Sequence, residues 1–363
     1  MILLRILLFI LGTAIVLRTL ISAIRTIVLP RGERDRIAAF VFISLRRLYN
    51  LGLRFATTYE RRDQVMATYG PVGLLLLLPV WLILVASGYV LLYIASGVAS
   101  LSESIVISGS SLLTLGFSKG DTLLQSIMEF SEATIGLILL ALLIAYLPSM
   151  YSAFQQRELA VALLEVRAGT PPSAVEMIMR FNRLHSLDQL HELWETWETW
   201  FAQIEESHTS LAALVFFRSP QPDHSWVTAS GAVLDTAALV RSTVDFPPDP
   251  QADLCIRAGF LALRSIASYF GVAYNPEARF PDDPISIARE EFDQAWEQLS
   301  EAGVPLKADR DQAWLDFAGW RVNYDTVLIS LCQITMAPYA PWSSDRSLLR
   351  PRQPTTPSER QAV

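Results

Sequence analysis

The residues with the clearest chemical potential lie in one short string. Thr114-Leu115-Gly116-Phe117, followed by Ser118-Lys119-Gly120-Asp121, closes the segment SLSESIVISGSSLLTLGFSKGD. That segment is too short to cross a membrane and sits between two long uncharged runs. At membrane depth, backbone that is not helical must line water or lie buried in protein, and an ion-selective loop is one of the few solutions. Residues 103–121 are therefore a candidate re-entrant pore helix and filter. An ordinary loop joining two spans is the competing reading.

Elsewhere the chemistry-bearing side chains form no set. His185, His191, His208 and His224 fall at intervals too irregular for a metal motif, and solvated or capping roles are expected for them. Cys255 and Cys332 are the only cysteines; they occupy helix-like apolar settings, read as packing residues and fit a reducing compartment. Asp282-Asp283 and Glu290-Glu291 have the character of turns and of helix first turns, where carboxylates offset the helix dipole. No Gly-x-Gly-x-x-Gly, phosphate-binding Gly-Lys-Ser/Thr loop or run of strands is present. No catalytic residue, metal site or cofactor is assigned, and an enzyme is not expected.

The string must be positioned by membrane helices. Apolar residues make up 52% of the 363 residues, high for a soluble chain. Residues 72–96 and 133–154 carry no charge and are long enough to span. Residues 2–29 are interrupted by Arg5, Arg18 and Arg25, and read as a tilted span with snorkelling arginines or a helix partly buried against the others. A signal peptide is the alternative for this segment. Arg18 and Arg25 stand where its cleavage site belongs, so the uncleaved anchor is preferred. Between it and the next span, residues 31–70 are rich in arginine: Arg31, Arg34, Arg36, Arg46, Arg47, Arg54, Arg61 and Arg62. Such a segment stays in the cytoplasm. Ile37, Phe40, Val41, Leu45 and Leu48 recur at helical spacing there, as in an amphipathic helix lying on an anionic leaflet. With that segment inside, residues 98–132 face outward and the C-terminal half is cytoplasmic.

The order span, short helix, Thr-x-Gly-aromatic, span resembles the pore module of the potassium channel family, of the bacterial two-span type, over residues 72–158. Thr114-Leu115-Gly116-Phe117 is similar to that family's Thr-Val-Gly-Tyr filter, with Leu for Val and Phe for Tyr. Residues 151–158, YSAFQQRE, resemble the end of its inner helix, and Thr26-Ile27-Val28-Leu29-Pro30-Arg31 is similar to a string preceding the module in bacterial members. The resemblance implies that backbone carbonyls of Thr114, Leu115, Gly116 and Phe117 bind the ion, that the Thr114 hydroxyl adds an oxygen at the inner end, and that Gly116 permits the dihedrals aiming successive carbonyls at one axis. It also implies a homotetramer, since one loop supplies a quarter of a filter.

The outer mouth departs from the pattern. Either Ser118-Lys119 replaces the family's Gly-Asp, or a two-residue insertion leaves Gly120-Asp121 as the matching pair. A serine forced to positive φ costs about 1 kcal/mol or more in each subunit. Four Lys119 ammoniums would repel cations, with Glu129 and Glu132 placed to offset them.

Beyond residue 157 the periodicity is helical nearly throughout. Leu187, Leu190, Leu193, Trp194, Trp197, Trp200, Phe201 and Ile204 form one stripe, read as core rather than as a ligand surface. Further helices are expected at 172–184, 226–243, 251–270, 284–302 and 310–335. Within the last of these, residues 309–321, dense in aromatics and charges, read as a helix docked on the domain with salt-bridged edges. Residues 341–363 are polar and proline-rich, and disorder is expected.

Residues 1–155 carry 12 Lys/Arg against 8 Asp/Glu, and residues 156–363 carry 17 against 28. So acidic a second half argues against nucleic acid, and no nucleic-acid partner is expected. The expected fold class is α. An N-terminal membrane helix (1–30) and the basic linker (31–70) precede a pore module (71–157) of two spans and a re-entrant pore helix, followed by an all-α cytoplasmic domain (158–340). The expected function is passive conduction of potassium or another monovalent cation across a lipid membrane. The alternative is a non-conducting membrane scaffold or sensor with a degenerate loop and a partner-binding helical domain.

Overall fold

The computed structural model describes residues 2–29, 35–54, 56 and 58–346. Arg31 and Arg34 of the basic segment and residues 347–363 of the tail lie outside them. Among the described residues the regular structure is helical, and the one extended pairing is the isolated antiparallel bridge Val244–Leu306. In chain order the helices are α1 (Ile2–Ile27), α2 (Arg36–Leu53), α3 (Tyr59–Ala67), α4 (Tyr69–Ser96), α5 (Leu101–Leu112) and α6 (Leu123–Ala168). There follow α7 (Ala174–Arg183), α8 (Leu190–Ser210), α9 (Trp226–Thr243), α10 (Pro250–Tyr269), α11 (Arg289–Glu301), α12 (Arg310–Arg321) and α13 (Asp325–Thr335). Among the described residues three helical stretches are long and apolar enough to cross a membrane: Ile2–Ile27, Tyr59–Ser96 and Leu123–Ala168.

Two compact units divide the chain: residues 1–54, 68–152 and 210–214 form the first, and residues 55–67, 153–209 and 215–363 the second. In the first unit α1 lies along α4. Small residues set their approach, because a Cβ on Gly12 would stand 2.6 Å from the Gly88 carbonyl oxygen and one on Gly88 2.7 Å from Val16 Cγ2. Backbones this close are the signature of small-residue helix contacts in membranes. The polar residues of α1 are partnered. Trp81 Nε1 donates to Ser22 Oγ at 3.1 Å, Ser22 Oγ donates to Asp35 at 2.5 Å, and Arg18 pairs with Asp35 at 3.4 Å. Asp35 also caps α2, accepting from the backbone N–H groups of Ile37 and Ala38. The amphipathic α2 buries Val41, Leu45 and Leu53 and exposes Phe40, Ile43, Leu48 and Leu51.

The second unit is built around α9, a helix buried on nearly every face, as its run of small and apolar residues requires. Helices α7, α10, α12 and α13 pack on it. Trp194, Trp197, Trp200 and Phe201 of α8 lie in the core, and Gly259 of α10 lets Leu234 and Phe201 approach where a Cβ would collide at 2.4 Å. Arg310 of α12 pairs with Asp293 and Glu297, and Trp314 packs on Phe280 and Phe292. Asp283 accepts hydrogen bonds from Asn275 and the Arg279 N–H, and Glu291 caps the start of α11.

Several boundaries differ from the sequence reading. The run expected to span at 133–154 belongs to a 46-residue helix that begins at Leu123. The basic linker is split, with α2 in the first unit and α3 in the second. Helix α11 starts at Arg289 rather than 284. The helix expected over 310–335 breaks at residues 322–324, where tight turns from Tyr324 N–H to the Arg321 carbonyl and from Asn323 N–H to that of Trp320 end α12. Arg321, the last residue of α12, pairs with both Asp325 and Asp235. Residues 341–346, grouped with the tail by composition, are folded: Ala340 N–H donates to Ser344 Oγ at 2.8 Å, and Arg321 donates to the Trp342 carbonyl at 2.5 Å.

Candidate functional site

Helix α5 starts at a proper cap, Ser100 Oγ accepting from Glu103 N–H at 3.1 Å. At 1.5 Å per residue its 12 residues rise about 18 Å, well short of the roughly 30 Å hydrocarbon layer. It ends in the candidate filter string. The N–H groups of Thr114, Leu115 and Gly116 turn back onto the helix, donating to Ser111 at 2.9 Å and to Ser110 at 2.8 and 3.3 Å. Among the described residues, the carbonyls of Thr114, Leu115, Gly116 and Phe117 accept no hydrogen bond. The side chains of Leu115 and Phe117 are exposed in the single chain.

Two residues of the string have positive φ, Gly116 at 70° and Thr114 at 55°. The glycine is suited to that region; for a β-branched threonine it is a strained conformation that surrounding structure must hold. The sequence pointed to Gly116 alone. Ser118, by contrast, escapes positive φ, so the strain anticipated for it is not incurred. Its N–H donates to Ser110 Oγ at 3.1 Å. Lys119 is exposed.

The loop is strapped to α6 by carboxylates and amides. Gly120 N–H donates to Glu129, and Gln125 Oε1 accepts from the N–H groups of Asp121 at 2.9 Å and Thr122 at 3.2 Å. Gln125 Nε2 donates to Ser96 Oγ at 3.2 Å, tying the same strap to α4. Glu132 is fully buried, accepting from Tyr93 OH of α4 at 2.9 Å and Ser108 Oγ of α5 at 2.5 Å. It is the polar pin of all three helices. Gly136 brings α6 against the end of α5, since a Cβ there would meet the Leu112 carbonyl oxygen at 2.5 Å. Glu129 and Glu132, expected to offset Lys119, are thus engaged in holding the loop and the helices. The sequence hid this role because a carboxylate beside an apolar run reads as the edge of a span.

Among the described residues no group of three or more His, Cys, Asp or Glu side chains gathers as for a metal ion. His208 is buried against Trp226 and within 3.3 Å of Arg157, and burial, with that guanidinium, holds its imidazole well below the ordinary value. His191 is exposed and hydrogen-bonded to Asp249, which raises it. In the second unit, Arg218 binds Asp63 and Tyr59 of α3 and donates to the carbonyls of Thr335 at 2.6 Å and Met336 at 3.1 Å. Comparison of the chain with protein-family models, with curated proteins and with solved structures found no match in any of the three.

Proposed function

We propose that the chain is one subunit of a potassium-channel-like pore, conducting potassium or another monovalent cation passively through a homotetramer. The observation that carries this reading is the row of four consecutive carbonyls, Thr114 to Phe117, without hydrogen-bond partners among the described residues, while the N–H groups of Thr114, Leu115 and Gly116 are used by α5. Backbone oxygens left unpaired at membrane depth are costly unless they face water or an ion, and cation coordination is the chemistry they supply. The C-terminal end of α5 adds a favourable dipole for a cation. Four chains around one axis complete the ring of oxygens. Leu123, Ile127, Phe130, Leu137 and Ile144, exposed in the single chain, are then covered by neighbouring subunits or lipid. The arginines of α2 and α3 support a cytoplasmic position for those helices and, through α3, for the second unit of a multi-pass protein.

A second reading, a non-conducting scaffold or sensor, draws on Lys119, an exposed cation at the outer end of the candidate filter. Potassium against sodium flux in proteoliposomes separates the two. Potassium-selective flux that vanishes in Gly116→Asp supports the pore. Absence of flux over a range of voltage and pH favours the scaffold.

A further inference from the structure

Asp235 stands in the middle of α9, among small and apolar residues, and is 2% exposed. A carboxylate so placed needs a counter-charge and hydrogen bonds to both oxygens. It has them on one side only. Arg321 donates to Oδ1 at 2.5 Å and Tyr324 OH donates to the same oxygen at 2.9 Å. Oδ2 accepts no hydrogen bond among the described residues.

The charges do not balance either. Arg321, itself fully buried, also serves Asp325 at 2.7 Å. Arg346, the other guanidinium nearby, is taken up by Glu291 and by Asp345 at 3.0 Å. Among the described residues these two guanidiniums are paired with four carboxylates.

Asp235 lines a cavity of about 240 Å³. Its other walls include Ser173, Glu291, Gln294, Gln298 and Trp342. The space far exceeds the roughly 10–15 Å³ a single water needs. A half-bonded carboxylate, amide oxygens and an indole side by side match the needs of one ligand class: charge-assisted hydrogen bonds to the anion, further N–H donors to the amides, and an aromatic face for the positive charge. Trp342 is held there at a φ of 60°, unusual for so bulky a residue, by the Arg321 bond to its carbonyl.

We propose that this cavity in the helical unit binds a small organic cation bearing N–H groups, an alkylammonium or alkylguanidinium, with Asp235 Oδ2 as its counter-ion. The site is independent of the pore reading and gives the second unit a ligand of its own.

The test is calorimetric titration of the full-length protein in detergent micelles with methylguanidinium chloride and methylammonium chloride, against sodium and potassium chloride at equal ionic strength. Saturable binding of at least one organic cation is expected, lost in Asp235→Asn and weakened at least tenfold in Gln298→Lys, which sets a competing ammonium in the cavity from an exposed position. Should Asp235→Asn lose its helical circular dichroism, Gln298→Lys decides alone. No saturable binding to the unaltered protein, equal binding by Gln298→Lys, or equally tight binding of sodium or potassium overturns the proposal.

Discussion

Replacing Arg321 by methionine is the sharpest test of how the helical unit is held together. Its guanidinium is fully buried and donates to Asp235, Asp325 and the Trp342 carbonyl. Burial opposes its charge, but the two carboxylates raise it above the ordinary arginine value, so the cation is permanent. Arg321→Met leaves both carboxylates without it. Asp325 keeps Ser286, which donates through its N–H at 3.0 Å and its hydroxyl at 2.7 Å, whereas Asp235 keeps only Tyr324. Removing one partner of a buried ion pair costs about 3–5 kcal/mol, largely as stranded charge. With a urea slope of about 2 kcal/mol/M, the midpoint falls by about 2 M. Tryptophan fluorescence of the full-length protein in detergent reads this unit, because every tryptophan except Trp81 belongs to it. Adding Asp235→Leu to Arg321→Met restores most of the loss if stranded charge is its origin. A cost within about 1 kcal/mol for the single variant, or an equal cost in the Asp235→Leu background, refutes the reasoning.

Three further outcomes are expected. Buried His208 stays neutral in the fold and takes its proton only on unfolding, so its contribution is complete above the unfolded value near 6.5 and is lost as pH falls below it, at up to about 1.4 kcal/mol per pH unit. Urea midpoints measured from pH 7.5 to 5 show a flatter profile in His208→Gln, and parallel profiles refute the assignment. Gly88→Val drives its side chain into Val16 and the Gly12 carbonyl and lowers the melting temperature in detergent, whereas Gly109→Ala, with nothing within 4 Å, does not. Glu132→Leu strands the Tyr93 hydroxyl at about 1–3 kcal/mol and lowers the melting temperature more than Glu132→Gln, which retains an acceptor.

The all-helical class and the apolar helices are legible in the sequence because uncharged runs and regular apolar spacing are local signals. The short helix before Thr114 is visible for the same reason. Details fixed by distant partners are not. Glu132 marks an end of the second span by composition, yet Tyr93 and Ser108 make it an interior residue of a longer helix. The apolar rhythm of 310–335 runs through the break at 322–324, where the tight turns of Asn323 and Tyr324 leave no mark in the composition. Thr114 reads as a ligand-bearing residue, and nothing in its neighbours announces a positive φ. Residues 341–346 look like the start of a polar tail until Arg321 binds the Trp342 carbonyl and Ser344 Oγ accepts from the Ala340 N–H.

The grip of Arg218 on α3 has a consequence for where the chain can be cut. Only Thr68 separates α3, held in the helical unit, from α4 in the first, and α6 passes from one unit into the other without interruption. The chain therefore crosses between the units on either side of the Thr114 loop, ahead of α4 and within α6. Cutting the chain after α6 does not detach a self-contained module, because it leaves Asp63 and Tyr59 of α3 behind without the Arg218 guanidinium.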